Sequence, residues 1–201
     1  MSRELIVGAT GASGAAVTVT LLRALLRQEQ VSRVHLIFSD AALPVMSQEL
    51  RVPGLDVATF KTRFLEDDPR VTTWRNDQLA APIASGSYPS GGMIIVPCSM
   101  NTLAAVSHGI ADRLLARAAD VTLKERRPLL LAVRETPLSL IHLENMVRAT
   151  RSGATIFPLC PAFYAQPDTI EKMVEDFTLR LLDHLGLAAD RGFRWGITPH
   201  R

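Results

Sequence analysis

The chain has 201 residues, 47% hydrophobic and 21% charged, which is typical of a globular protein large enough for one full hydrophobic core. A net charge of +2 argues against nucleic-acid binding, and no apolar run is long enough to span a bilayer. Cys98 and Cys160 lie far apart and the five histidines are scattered, so we expect no disulfide framework, no metal site and a reducing, cytoplasmic setting.

The N-terminal segment has the pattern of a strand, a glycine-rich turn and a helix. Leu5–Val7 is a short apolar run, Gly8–Ala15 is rich in small residues, and a helix is expected around Val17–Arg27. Such a turn presents backbone N–H groups and a helix N-terminus to an anion, so we expect it to bind a phosphate. A plain tight turn is the alternative, and the letters GATGASG also resemble the nucleotide loop of NAD-linked reductases.

The second predicted strand is Val34–Phe38, and a helix over residues 40–50 follows it. Ser39, rather than an acidic residue, ends this strand, which argues weakly against an NAD ribose contact. Residues 51–90 are the least periodic part of the chain, and we interpret them as a long excursion with a helix near Val57–Leu65. The polar stretch Ser85–Ser87 is either a ligand cover or a solvated loop.

Two more strands are predicted in the second half, each followed by polar residues. Met93–Val96 precedes a turn at residues 97–102 and a helix over Leu103–His108. A helix around Arg117 and Lys124, which are seven positions apart and so project from one side, ends at Pro128. The apolar run Leu129–Val133 then predicts a strand buried on both faces.

Arg134 and Glu135 end that strand, and Thr136-Pro137 is expected to begin the next helix as N-cap and first residue. In open α/β sheets ligands bind at the carboxyl ends of the strands, so Arg134 and Glu135 are site candidates. A solvated pair of charges at a strand end is the alternative interpretation.

The C-terminal part is predicted to contain a helix that ends at Gly153, a strand over Ala154–Phe157 and a rigid loop that includes Tyr164. Asp168 and Glu171 are expected to form a capping box for the last helix. We expect the buried side of that helix to comprise Ile170, Met173, Val174, Phe177 and Leu181. A tail with Trp195 is expected to pack on a neighbouring surface.

Strands that alternate with helices predict an α/β fold with a parallel sheet and right-handed crossovers. The carboxyl ends of parallel strands lie at one edge of the sheet. The polar turns that follow the strands should therefore share one rim, and these turns contain Gly11–Ser13, Ser39, Ser99–Thr102, Arg134-Glu135 and Tyr164.

Taken together, these segments resemble the flavin prenyltransferases of the UbiX family, also known as flavoprotein aromatic-acid decarboxylase subunits. The matching motifs stand in the family's order over nearly the whole chain: GATGASGA from Gly8, ASGS from Ala84, PCSMNTLA from Pro97, RAADVTLKERRPL from Arg117, RETPLSLIHLENM from Arg134, PAFY from Pro161 and RLLDHLG from Arg180. The resemblance implies one three-layer Rossmann-like (flavodoxin-like) domain over residues 1–201, with a tail over about 187–201.

The resemblance also implies an activity: transfer of a dimethylallyl group from dimethylallyl phosphate to N5 and C6 of reduced FMN. The product, prenylated FMN, would serve a separate UbiD-type decarboxylase, and the enzyme would be a homo-oligomer, a dodecamer. The implied flavin contacts are Gly11, Ala12, Ser13, Ser39, Ser99, Met100, Asn101, Thr102 and Arg134. Asn101 departs from the Lys or Gly common at its position.

The implied contacts to the prenyl phosphate are Arg117, Lys124, Tyr164 and Arg180, and the implied catalytic residues are Glu135, for proton transfer, and Ser13. Cations and a tyrosine hydroxyl suit a departing phosphate, and a carboxylate suits removal of a ring proton. Because these contacts come from different elements, we expect the donor pocket to be completed between subunits.

Three alternatives are weighed against this interpretation. A flavin-dependent cysteine decarboxylase relies on an early histidine base, but the first histidine, His35, is placed inside a strand. An FMN-binding subunit without chemistry of its own is disfavoured because Glu135, Lys124, Tyr164 and Arg180 are all present. An NAD-linked reductase would need a Tyr-x-x-x-Lys pair, which the sequence lacks.

Overall fold

The computed structural model describes residues 2–187, and over this range strands and helices alternate along the chain. The strands are β1 (Arg3–Ala9), β2 (Val31–Phe38), β3 (Val71–Trp74), β4 (Met93–Cys98), β5 (Leu129–Val133) and β6 (Thr155–Ile156). The helices are α1 (Ala15–Leu26), α2 (Ala42–Glu49), α3 (Val57–Leu65), α4 (Met100–Ser107), α5 (Leu114–Lys124), α6 (Leu140–Arg151) and α7 (Ile170–His184). The predicted tail, with Trp195, lies beyond Leu187 and outside the described residues.

The six strands form one parallel sheet in the order β3-β2-β1-β4-β5-β6. Helices α1, α2, α3 and α7 contribute to the core on one face, and α4, α5 and α6 to the core on the other. These three layers confirm the predicted α/β, Rossmann-like (flavodoxin-like) fold. The order reverses direction between β1 and β4, the position at which such sheets bind ligands.

Successive side chains of a strand point to opposite faces of the sheet, so a strand contributes to the core on each face. In β2, Val34, Leu36 and Phe38 pack into the α1 side, while Ile37 packs into the α5 side. All five residues of β5 are buried, as the apolar run predicted. Burial of each such aliphatic side chain contributes about 1.5–3 kcal/mol, so β5 is a firm support for the charged pair that follows it.

The excursion over residues 51–90 contains more structure than expected. The predicted helix at Val57–Leu65 is confirmed as α3, and Asp56 caps it by accepting from Thr59 N at 2.8 Å. The prediction missed β3, which pairs with β2 at the sheet edge. Its sequence Val-Thr-Thr-Trp is short and only partly buried, so it carries little apolar pattern.

Two predicted helix starts were wrong. Thr136-Pro137 does not begin a helix: Ser139 is the N-cap of α6, and Ser139 and His142 cap each other's backbone N–H groups. Asp168 does not cap α7, because Thr169 accepts from Lys172 N at 3.1 Å instead. Each helix therefore begins later than predicted, at the serine or threonine nearest its first turn.

The predicted buried side of α7 is correct in its centre and wrong at its start. Phe177 and Leu181 are buried and Met173 and Val174 are partly buried, but Ile170 is 73% exposed. Ile170 is the first residue of the helix and lies beyond the edge of the sheet's core. Its exposed side chain is therefore available to another surface.

Candidate active site

The turns that follow β1, β4 and β5 meet at one edge of the sheet, as predicted, and we call this edge the rim. Thr10 Oγ1 donates to Pro97 O at 2.7 Å, and Ser99 N donates to Thr10 Oγ1 at 2.8 Å. Arg134 N donates to Cys98 O at 3.1 Å. These bonds fix the three turns relative to one another, so the rim is a preformed surface.

The turn after β1 also packs closely on the segment that follows β2. A Cβ atom on Gly11 would lie 2.5 Å from Ala41 Cβ, so only glycine fits there. Ser39 N donates to Ala9 O at 2.9 Å and continues the β1–β2 pairing to the rim. Gly11, Ala12, Ser13 and Ser39 are thus brought together, as the sequence predicted.

Glu49, at the end of α2, is a rim residue that the sequence analysis missed. Its Oε2 accepts from Gly14 N at 3.0 Å and from Ala15 N at 2.8 Å, at the N-terminus of α1. Glu49 thus takes the N–H donors of Gly14 and Ala15, which follow the Gly11–Ser13 turn in the chain. A phosphate on the Gly11–Ser13 turn stays a prediction, and no local motif marks Glu49, which lies 34 residues from Ala15 along the chain.

The surroundings of Glu49 favour its charged form. Partial burial opposes ionisation, but a hydrogen bond from Ser13 and the two backbone bonds outweigh it, so the pKa of Glu49 lies below its ordinary value. The Arg134 charge lowers this pKa further. Glu49 thus links Ser13 electrostatically to the Arg134 side of the rim.

The N-terminus of α4 is a second helix end at the rim. The side chain of Ser99 caps it by accepting from Thr102 N at 3.3 Å, and Ser99 Oγ lies 3.1 Å from Thr102 Oγ1. The backbone N–H groups of Met100 and Asn101, in the first turn, have no acceptor within the helix. With two hydroxyl groups beside them, these N–H groups form an anion-binding arrangement.

Arg134 and Glu135 lie exposed at the end of β5. Glu135 Oε1 accepts from Thr136 N at 3.0 Å, a local bond that uses one of the two carboxylate oxygens. The buried strand holds the backbone of this pair in place at the rim. Proton transfer by Glu135 stays a prediction.

Tyr164 and Arg180 line a shared cavity of about 350 Å³. Its walls are mainly apolar and include Phe157 and Phe177, which stack edge to face with ring centroids 5.3 Å apart. Arg180 Nε lies 3.9 Å from Asp183 Oδ2. The cavity combines an apolar wall with a cation and a phenol, which suits a short apolar chain with an anionic head group.

Lys124 and Arg117 lie away from that cavity, on α5. Arg117 Nε donates to Ala84 O at 3.1 Å, and Lys124 pairs with the neighbouring Glu125. The C-terminus of α5 leads into the start of β5, whereas Glu135 follows its end. Five strand residues span about 16 Å, so Lys124 and Glu135 of one chain lie at opposite edges of the sheet.

Within residues 2–187, the structure contains no cluster of three or more side chains that could hold a metal ion. No helix in the same range is long and apolar enough to cross a membrane. Cys98 is buried, which raises the pKa of its thiol to about 12, and Cys160 is exposed in the wall of the Tyr164 cavity. The cytoplasmic setting stays a prediction.

Comparison with known proteins agrees with this geometry. Residues 1–180 match the protein-family model described as Flavoprotein. The flavin prenyltransferase UbiX of Alkalihalophilus pseudofirmus is 45% identical over 197 residues, which cover 98% of each chain. The chain belongs to the flavin prenyltransferase family.

Solved structures give the same result. AnUbiX (PadA1), crystallised with FMN and dimethylallyl pyrophosphate, has a TM-score of 0.88 and 40% identity, over 99% of this chain and 100% of that one. A dodecameric FMN-dependent UbiX-like decarboxylase from Escherichia coli O157:H7 has a TM-score of 0.85 and 42% identity, over 96% and 99% of the two chains. Membership in the flavin prenyltransferase family thus rests on sequence and fold together.

Proposed function

We propose that this protein transfers a dimethylallyl group from dimethylallyl phosphate to N5 and C6 of reduced FMN, and so produces prenylated FMN. The observation that supports this most is the rim, where an anion-binding helix end, a close-packed glycine turn and the Arg134-Glu135 pair meet. Membership in the flavin prenyltransferase family adds the reaction class.

The rim residues fit FMN. The N-terminus of α4, with Ser99 and Thr102, is the better place for the FMN phosphate, since Glu49 occupies the donors of α1. Gly11 lets the first turn pack against Ala41 at the rim, and Arg134 offers a fork of donors to the polar edge of the ring. Reduced FMN, when bound, supplies the electron-rich N5 and C6 positions that accept the allyl group.

Glu135 is assigned to proton transfer. Bond formation at C6 displaces one ring proton, and a Glu135 carboxylate oxygen accepts it. The departing phosphate takes the bonding electron pair of the allylic C–O bond, so negative charge develops on its oxygens. Arg180, the Tyr164 hydroxyl and Lys124 stabilise that charge, and the apolar cavity wall excludes water from the cation.

The two groups of donor contacts belong to different subunits in this proposal. Tyr164 and Arg180 line the cavity that follows β6, whereas Lys124 lies at the opposite edge of the sheet. One chain cannot direct all three residues at one small phosphate, so a neighbouring subunit has to supply Lys124. Exposed apolar residues at the start of α6, such as Leu140 and Ile141, offer a contact surface.

An anaerobic reaction tests the proposed activity. Purified protein is incubated with reduced FMN and dimethylallyl phosphate, and the flavin is examined by mass spectrometry. We expect a gain of one isoprene unit in mass, with release of inorganic phosphate. Unmodified flavin after many equivalents of donor would contradict the proposal, and heat-inactivated protein is the control.

Mixing of variants tests the shared site. Glu135→Gln and Lys124→Ala are each expected to be inactive alone, but mixed oligomers contain sites with both native residues. Random mixing in equal amounts should restore about one quarter of wild-type activity, because each native residue is present at half of the positions. No recovery after confirmed subunit exchange would mean that Lys124 and Glu135 act within one chain.

We further propose that the product is passed to a UbiD-type decarboxylase. The proposed reaction has two products, prenylated FMN and inorganic phosphate. A modified flavin has value only to an enzyme that binds it, so a separate enzyme has to take it up. Reconstitution of such a decarboxylase by the reaction mixture, but not by FMN, is the expected result.

A further inference from the structure

Four side chains form a hydrogen-bonded cluster on the α5 side of the sheet, and the proposed mechanism uses none of them. They are Glu4 of β1, His35 of β2, Trp74 of β3 and Tyr88, and we call them the His35 cluster. His35 is only 2% exposed. The imidazole is hydrogen-bonded at both ring nitrogens, and the cluster joins three strands to the loop that contains Tyr88.

The bonds of the cluster define the protonation of His35. Trp74 Nε1 can only donate, and it lies 3.0 Å from His35 Nδ1, so that nitrogen is the acceptor. His35 Nε2 then bears the proton and donates to Glu4 Oε2 at 3.0 Å. The Tyr88 hydroxyl donates to the same Glu4 oxygen. Tyr88 is therefore held at its tip by a carboxylate that the histidine orients.

Tyr88 belongs to residues 84–90, a segment of turns that follows a short 3-10 helix and lies against α5, and we call it the strap. Arg127 donates to Tyr88 O at 2.6 Å and to Gly86 O at 2.8 Å. At the other end of the strap, Arg117 Nε donates to Ala84 O at 3.1 Å. The strap is thus fixed by two arginines from its α5 side and by the His35 cluster from its sheet side.

The strap backbone touches the Lys124 side chain. A Cβ atom on Gly86 would lie 2.1 Å from Glu125 Oε1 and 2.5 Å from Lys124 Nζ, so the strap packs directly against the Lys124–Glu125 ion pair. A shift of the strap would disturb the Lys124–Glu125 pair and move the carbonyl that accepts from Arg117, whose other partner is Asp120 at 2.7 Å. The strap thus contacts both cations.

We infer that the His35 cluster is a positioning device for the donor phosphate: it anchors Tyr88, Tyr88 anchors the strap, and the strap places Lys124 and Arg117. This inference rests on the proposed function, which assigns Lys124 to dimethylallyl phosphate, and on the sequence resemblance, which implies the same role for Arg117. It makes His35 and Tyr88 determinants of donor affinity, although neither touches the donor or the flavin.

Tyr88→Phe is the first test, because it removes the anchoring hydroxyl and keeps the ring. On FMN-loaded protein, the Kd for dimethylallyl phosphate measured by titration calorimetry should rise about three- to tenfold, the effect of one weakened hydrogen-bonded contact. FMN affinity and turnover at saturating donor should stay near wild type. Amide hydrogen exchange over residues 82–91 should become faster.

His35 provides a graded comparison. His35→Gln keeps an N–H near the Nε2 position and should retain part of the donor affinity, whereas His35→Leu should lose as much as Tyr88→Phe. Leu65→Val, in the core of the opposite sheet face, is the control for a general loss of stability. It should lower the melting temperature and leave the donor Kd unchanged.

The possible outcomes distinguish failure of the proposed function from failure of this inference. If wild-type protein does not prenylate reduced FMN, the proposed function fails first. If wild type does so and Tyr88→Phe binds the donor normally, the cluster is only structural and the inference is wrong. Should Tyr88→Phe not fold, Gly86→Ala displaces the Lys124–Glu125 pair from its contact with the strap, and an unchanged donor Kd would equally overturn the inference.

Discussion

A single substitution at Glu135 tests its proposed role in proton transfer. Its only hydrogen bond to the described residues is the local one from Thr136 N, so Glu135→Gln should leave the melting temperature and FMN affinity close to wild type. Single-turnover prenylation should fall by about 10²–10⁴-fold, the range for loss of a general acid or base. Glu29→Gln, an exposed position on the α1–β2 turn, is the matched control. Near-normal turnover would remove Glu135 from the mechanism.

The His35 cluster also determines how stability responds to acid. Burial lowers the pKa of His35 below its ordinary 6.5, although the nearby Glu4 opposes this, and Arg33 adds to it. The hydrogen bond from Tyr88, followed by the contacts with His35, lowers the pKa of Glu4 below 4.5. Tyr88 itself, with a pKa raised to about 12 by burial and by Glu4, keeps its proton throughout.

The sign of the pH effect follows from these shifts. Above pH 6.5 His35 is neutral in both states, and as the pH falls the unfolded chain takes up a proton that the folded chain resists. The free energy of unfolding should therefore decrease as the pH falls from 6.5 toward 5, and further below 4.5 as Glu4 is protonated. Urea titrations of wild type and His35→Gln measure this, and the variant should show the shallower decline above pH 5. Parallel curves would contradict the assignment.

At the scale of the element, the start of α6 gives a matched pair of substitutions. Ser139→Ala removes the N-cap and should cost about 1 kcal/mol, or about 2–4 °C in melting temperature. Thr136→Ala changes the residue that the sequence pattern favoured, whose side chain caps nothing, and should be nearly neutral. Thermal unfolding of both variants decides between the two starts, and equal effects would contradict the observed cap.

The elements predicted best are those with strong local patterns. The bounds of β5 were correct because five apolar residues stand between Pro128 and a pair of charges. The start of α6 was wrong because a threonine before proline and a serine three residues after that threonine compete as caps. Strand β3 was missed because one buried and three half-buried residues at a sheet edge need contacts with β2, which no local pattern reveals.

The rim itself was predictable, because parallel strands place all their following turns at one edge. The role of Glu49 was not, since only the folded chain brings it to the N-terminus of α1. The separation of Lys124 from Tyr164 and Arg180 follows from the direction of α5 relative to β5. Helix periodicity predicted that Arg117 and Lys124 lie on one side of α5. In the structure both residues contact the strap from that side.

At the scale of the whole molecule, several apolar side chains on α6 and in the loop before it are exposed to solvent. Leu140 is 69% exposed and Ile141 is 68% exposed, beside the Arg134-Glu135 turn. Ile141→Asp should prevent subunit association, because a buried unpaired carboxylate in an apolar contact is strongly unfavourable. Light scattering should show a smaller particle, circular dichroism a folded chain, and prenylation should be lost.

Ile110→Asp is the control for that experiment, since Ile110 is 54% exposed and lies in the loop between α4 and α5. It should keep both the particle mass and the activity of wild type. A fully active Ile141→Asp protein of reduced mass would show that assembly through this surface is not required for catalysis.

The placement of Lys124 and Glu135 at opposite edges of one sheet has a consequence for abundance. If each site needs parts of two copies, the specific activity depends on the protein's own concentration and falls when the oligomer dissociates. Dilution of the protein would then lower its specific activity even at saturating substrate. A cell that makes too little of this chain would lose more of the modified flavin than the shortage of polypeptide alone implies.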